Sequence, residues 1–366
     1  PSGAIGWIVS EEAFMQPLRK VISKLKLRAS YGQVGNANLG GRRFAYLSTI
    51  TDDYETLNMY KWGLDSSYGL TGMAEGEFAV QDLTWEIVNK MNLGVELGFL
   101  NGMIDLQLDY FDERRKDIFM PRESVPMTAG FMKQPWKNFG KVTNQGVEVS
   151  LNVNKQFGKD LFVSLMGTFT YAHNEITEKD EPSAVVGTNR AETGHPVGQL
   201  TGYIAEGLFT ADDFEDVSTG KLKEGIPTQS FVGKLRPGDI RYRDVNGDGK
   251  VDVFDKSPIG GTKDPEIVYG FGLNMKYKNL DFGALFQGIG RSWNILGSSI
   301  IPGANRGVTG NMFTNANDRW TVDNPSQNVF YPRLDDGINS NNNQSSTWWL
   351  RNMSFLRLKN IELGYS

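Results

Sequence analysis

Apolar side chains in this chain return at every second residue, in runs bounded by turn signals, and that period leaves little choice of fold. In 91–99 the odd positions are Met91, Leu93, Val95, Leu97 and Phe99, and the even ones are Asn92, Gly94, Glu96 and Gly98. A period of two describes a strand with one apolar and one polar face. The run meets Asn101-Gly102, a strong hairpin signal. Beyond it Ile104, Leu106, Leu108 and Tyr110 alternate with Asp105, Gln107 and Asp109. A turn at Asn101-Gly102 pairs Leu100 with Met103 and Phe99 with Ile104, which puts both apolar rows on one face.

The pattern recurs along the chain. Val147, Val149, Leu151 and Val153 form one row; Leu161, Val163, Leu165, Phe169 and Tyr171 form the next. Ile267, Tyr269, Phe271, Leu273, Met275 and Tyr277 precede a tight Lys278-Asn279 turn, with Leu280, Phe282, Ala284 and Phe286 beyond it. Leu25, Leu27, Ala29 and Tyr31 alternate with Lys26, Arg28 and Ser30, and 5–9 and 356–365 read as strands at the two ends. The last slips phase between Leu358 and Ile361, which predicts a bulge near Asn360. About nine strands result. The connections between them alternate strictly: short at 11–23, 101–102, 155–160 and 278–279, long at 35–82, 120–141, 175–266 and 291–351. Transmembrane barrels put short turns at one end and long loops at the other, whereas a soluble sandwich has no reason to. The expected fold class is all-β, an antiparallel transmembrane β-barrel with an apolar face toward lipid and a polar face toward a wet lumen. Trp7, Tyr31, Phe99, Tyr110 and Tyr277 near strand ends suit an interfacial girdle.

Composition narrows the chemistry. The 366 residues contain no Cys and two His, which excludes disulfide scaffolds, thiolate metal sites and cysteine nucleophiles. A net charge of −5 without a basic block argues against nucleic acid as a partner. No run of 18 apolar residues encodes a membrane helix, and Pro1-Ser2-Gly3-Ala4 shows no basic segment followed by an apolar core. Nine is an odd strand number, and an open sheet would leave edges unpaired in hydrocarbon, so the chain is expected to be an internal piece of a longer protein.

The sharpest motif is the twelve-residue stretch 244–255, inside the long 175–266 loop. Asp244, Asn246 and Asp248 supply oxygens at positions 1, 3 and 5, Gly249 follows at 6, Lys250 offers its carbonyl at 7, Asp252 stands at 9 and Asp255 at 12. That is the spacing of an EF-hand-type calcium loop, whose hard cation needs six to eight oxygens and a sharp turn. Asp255 is one methylene shorter than the usual Glu. The expectation is a structural Ca2+; the alternative is an Asp/Asn/Gly surface turn. His173 and His195 belong to no nucleophile–base arrangement, and GxSxG, Walker A and HExxH are absent, so catalysis is not expected. Loop aromatics Trp62, Trp136, Trp293, Trp320, Trp348 and Trp349 suit either sugar stacking or packing.

Six strings occur in order: 28–36 (RASYGQVGN), 140–148 (GKVTNQGVE), 238–249 (GDIRYRDVNGDG), 319–325 (RWTVDNP), 331–334 (YPRL) and 356–365 (LRLKNIELGY). Together they resemble the SusC/RagA-type TonB-linked outer-membrane transporters of Bacteroidetes, over essentially the whole chain. The resemblance implies the middle to late part of a 22-stranded plugged barrel in the cell outer membrane. It implies a SusD-like lipoprotein partner, energy from a TonB complex through a plug and TonB box, and oligosaccharide or peptide ligands. This chain matches no plug, TonB box, first strands or last strands of that pattern, and no substrate-contact motif carries over. Two other readings stay open on the residues: a soluble calcium-stabilised carbohydrate-binding β-protein, and a secreted polysaccharide hydrolase.

Overall fold

A computed structural model describes residues 1–51, 60–64, 68–70, 73–131, 133–297, 300, 313–335 and 339–366. Nine antiparallel strands form one sheet in chain order, each bonded to the next. They are β1 (Ser2–Ile8), β2 (Ile22–Asn36), β3 (Glu86–Phe99), β4 (Ile104–Pro121), β5 (Trp136–Phe157), β6 (Leu161–Glu178), β7 (Ile267–Tyr277), β8 (Leu280–Gly290) and β9 (Phe355–Tyr365). The connections alternate short and long as expected: 9–21, 100–103, 158–160 and 278–279 against 37–85, 122–135, 179–266 and 291–354.

Register follows the apolar pattern. Phe99 faces Ile104 and Tyr277 faces Leu280. The β3–β4 turn is wider than two residues: Leu100, Asn101 and Gly102 all have positive φ (52°, 58° and 81°), and the amide of Met103 reaches back to Phe99 O at 3.1 Å. The sheet twist favours such left-handed turns. On β9 the partner of Leu285 is Asn360 and that of Phe286 is Leu358, so Lys359 bulges out. The bulge absorbs the phase slip and keeps Leu358, Ile361, Leu363 and Tyr365 opposite Phe286, Ala284, Phe282 and Leu280 on one face. One such row runs Leu27–Val95–Leu108–Val149–Phe169–Tyr269 across six strands.

Among the described residues, much of the apolar face of the sheet is left uncovered. Leu93, Leu108, Val147, Leu151, Leu165, Phe169, Phe271 and Leu280 are all exposed. Among the described residues, none of the buried hydrophobic side chains lies on the nine strands. The core sits instead in the loops: Tyr203, Leu208, Ile240, Tyr242 and Val251 from 179–266 pack with Trp320, Tyr331 and Trp349 from 291–354. A sandwich would bury its strand faces; here a row of greasy side chains needs a solvent of its own. On β6 the apolar run extends from Leu161 to Tyr171, and ten rises tilted by about 40° give a band about 25 Å tall, the height of a barrel's lipid belt. Above it the same outward face turns polar at Asp112, Gln145 and His173, which are register neighbours.

Candidate functional site

The polar face of the sheet is a wall of paired charges. Arg28, Gly94, Asp109 and Glu148 occupy one register row on β2 to β5. The Arg28 guanidinium crosses the intervening strand and donates to both carboxylate oxygens of Asp109 at 2.9 Å. It can do so because position 94 has no side chain: a Cβ there would sit 2.5 Å from Asp109 Oδ1 and 2.9 Å from Arg28 Nη2. Lys24 and Lys26 hold Glu96 at 2.7 and 3.2 Å, and Gln107 donates to Asp109 at 2.9 Å. Such neutralised, hydrogen-bonded charges suit a water-lined surface rather than a reacting centre.

The twelve-residue loop is ordered by its own side chains. Asp244 accepts from the amides of Gly247 and Gly249, both at 2.7 Å; Asn246 accepts from Asp248 N at 3.0 Å, Asp248 from Lys250 N at 2.9 Å, and Asp252 from Phe254 N at 2.9 Å. Asp255, fully buried, closes the loop by accepting from Val245 N at 2.7 Å, Asn246 N at 3.3 Å and Asp252 N at 2.7 Å. Lys250–Val251 pairs in parallel with Thr228–Gln229, and the carbonyls of Gly249 and Val251 serve that pairing. Carbonyls alternate along a strand, so that of Lys250 faces the other way. Asp244, Asn246, Asp248, Lys250, Asp252 and Asp255 thus share one loop. Among the described residues, no group of three or more His, Asp or Glu side chains is gathered closely enough to hold a metal. The carboxylates are spread over backbone amides, and Lys250 Nζ lies 3.2 Å from Asp252.

The loop body holds a polar knot with no signal in the sequence. Asp239, fully buried, accepts from Arg236 N at 2.9 Å, Asn339 at 3.0 Å, Asn342 at 3.1 Å and Arg333 Nε at 3.2 Å. Burial pushes the Asp239 carboxyl above its ordinary value while the Arg333 charge pulls it back. Burial also raises the Tyr203 hydroxyl to about 12, with the Asp255 and Asp252 charges adding to it. The tryptophans are largely packing anchors: Trp349 and Trp320 are buried, Trp348 donates to Phe330 O at 3.2 Å, and Trp136 packs on Phe119 with Arg42 4.2 Å from its ring centre. The side chain of Trp62 lies outside the described residues. His173 sits within β6, its Nδ1 2.6 Å from Glu266; His195 lies in a turn after Gly194. Among the described residues, neither imidazole is hydrogen-bonded to a Ser or Thr hydroxyl.

Comparison with known proteins agrees with this geometry. The family model described as "TonB dependent receptor-like, beta-barrel" matches residues 1–365. TonB-dependent receptor P26 of Formosa agariphila is 29% identical over 377 residues, covering all of this chain and 35% of that protein. TonB-dependent receptor SusC of Bacteroides thetaiotaomicron is 29% identical over 384 residues, covering all of this chain and 34% of its own length. The solved structure of the RagAB peptide transporter superposes with a TM-score of 0.69 at 24% identity, over all of this chain and 36% of the matched one. The chain therefore spans about a third of the length of the curated relatives it matches.

Proposed function

Because the chain belongs to the TonB-dependent receptor-like β-barrel family of the outer membrane, we propose that it forms part of the wall and loops of a TonB-powered nutrient importer and carries out no catalysis. The observation that carries this is the exposed apolar face of the sheet beside a loop body with its own buried core. The 29% identity to SusC along the whole chain supports a SusC-like role: capture of an oligosaccharide or peptide at the long-loop end together with a SusD-like surface lipoprotein, then release through a polar lumen. A plug and TonB box would come from outside the region this chain covers. The test is uptake and co-purification of the full-length receptor. A purified intact receptor with no lipoprotein companion, or cells whose uptake is unchanged by its deletion, would overturn the reading.

The same reading includes a structural Ca2+ in loop 244–255. Supporting it are the EF-hand-type spacing of Asp244, Asn246, Asp248, Asp252 and Asp255 and a Lys250 carbonyl turned away from its ladder; the carboxylates, which accept from backbone amides in this structure, would have to gather around the ion. A bound cation would offset the mutual repulsion of four carboxylates and fasten the backbone of the loop. Asp248→Ala should abolish calcium binding in titration calorimetry and speed hydrogen exchange across 244–255. Unchanged calcium affinity rejects the site.

A further inference from the structure

We propose that a pocket in the loop body recognises a carboxylate set beside an apolar side chain, the chemistry of a peptide C-terminus. The pocket lies where 210–217, 236–237 and 320–333 meet, with a cavity of about 580 Å³, within the range of small-ligand sites. Its wall is preformed. Gly238 adopts φ +88°, and a Cβ there would lie 2.3 Å from the Trp320 ring, so the indole is seated against bare backbone. Asp239 fastens the rim from beneath by holding both the Arg236 amide and the Arg333 guanidinium.

Charge and surface then select the occupant. Among the described residues, no carboxylate lines the pocket. Arg333 is already matched by Asp239 and Asp335, at 3.1 and 2.7 Å. Arg236 is exposed and has no ion-pair partner among the described residues, so one positive charge at the rim is uncompensated. Apart from Thr210 the rest of the lining is apolar: Val322 is 82% and Val217 43% exposed, and Pro325 lines it as well. The many hydroxyls of an oligosaccharide would need partners, and beyond the two guanidiniums the lining side chains supply only Thr210, whose hydroxyl already donates to Asp213. An apolar side chain carrying a free acid uses what is present.

This inference rests on the importer reading only in taking the long loops as the ligand-collecting face. The experiment is calorimetric titration of the purified full-length receptor with three probes: N-acetyl-leucyl-leucine as the free acid, its C-terminal amide, and maltotetraose. The acid should bind at least about tenfold more tightly than the amide, the scale of one charge-assisted hydrogen bond. Arg236→Gln should remove that preference and leave amide binding unchanged, and Val322→Asp should weaken the acid by repulsion. Both positions are exposed, and tryptophan emission with protease resistance checks that the loops remain folded. Equal binding of acid and amide, an acid preference unaffected by Arg236→Gln, tighter maltotetraose, or no binding of the acid overturns the pocket assignment. Uptake by cells is measured beside it: acid-selective binding without transport sinks the importer reading alone, and transport without acid-selective binding sinks the pocket alone.

Discussion

A hydrogen atom where other positions carry a side chain decides whether Arg28 and Asp109 meet, 81 residues apart in sequence. Gly94→Val should push the guanidinium off its carboxylate and leave both groups short of partners in the wall, at a cost of about 1–3 kcal/mol. A lowered urea midpoint of the folded full-length receptor checks this; an unchanged midpoint would show that Gly94 is not needed as a passage. A second residue-scale effect concerns Asp180, just beyond β6. It is buried, accepts from Arg122 at 2.8 Å and Ser124 Oγ at 2.8 Å, and so ties two long loops together at their roots. Burial alone would raise its pKa, but Arg122 and Ser124 outweigh it and hold the carboxyl below its ordinary 3.8. A depressed folded pKa means the tie is fully present above 3.8 and is lost as pH falls through the lower folded value. Hydrogen exchange at 122–124 should therefore accelerate only on acidification below that point, and Arg122→Gln should move the acceleration to higher pH.

At the scale of the strand, alternation assigns each position a solvent. Leu108 lies on the outward row and Gln107 on the inward one. Leu108→Arg should cost about 2–4 kcal/mol, as a charge placed in a barrel's lipid belt does, while Gln107→Arg should be nearly neutral. Unfolding titrations in lipid vesicles measure both. Lipid quenchers should likewise reach labels at Leu93, Val95 and Leu106 and fail to reach those at Asn92 and Asp105; the reverse would invert the sheet. The strands also outrun the membrane. β5 has 22 residues, about twice what a tilted span requires, and its outward face becomes polar at Gln145 and Thr143, so the excess stands above the lipid. There His173 and Arg291 bracket Glu266 at 2.6 and 3.1 Å, with Arg291 5.3 Å from the Tyr171 ring centre.

The whole molecule is stabilised in two different ways. The wall is held by its ladders and, in the membrane, by lipid; the loop body is held by an ordinary buried core around Tyr203, Trp320, Tyr331 and Trp349. Trp349→Ala removes a buried indole whose Nε1 donates to Asn342 O at 2.8 Å and should cost the loop body about 3–5 kcal/mol. The expected result is protease-sensitive loops on a wall that still migrates as folded in unheated gels. Simultaneous loss of both would mean that the loops and the wall fold as one unit. Among the described residues β1 and β9 form the two edges of the sheet, and a sheet edge in hydrocarbon has to be paired.

The strands, their register and a bulge near Asn360, which the structure puts one residue earlier at Lys359, were legible from the linear order of residues, because a side chain's face follows from its parity and parity is a local property. The spacing of loop 244–255 was legible for the same reason, since its ligand-type residues are neighbours in the chain. Other features came only with folding. Trp320 meeting Gly238, Asp239 meeting Asn342 and Arg28 passing over Gly94 each join segments about 65 to 105 residues apart with no shared period to announce them. Those contacts depend on how irregular loops close on one another and on the register of strands that are not adjacent in sequence. Packing in three dimensions sets both, and it placed this protein's hydrophobic core in its loops.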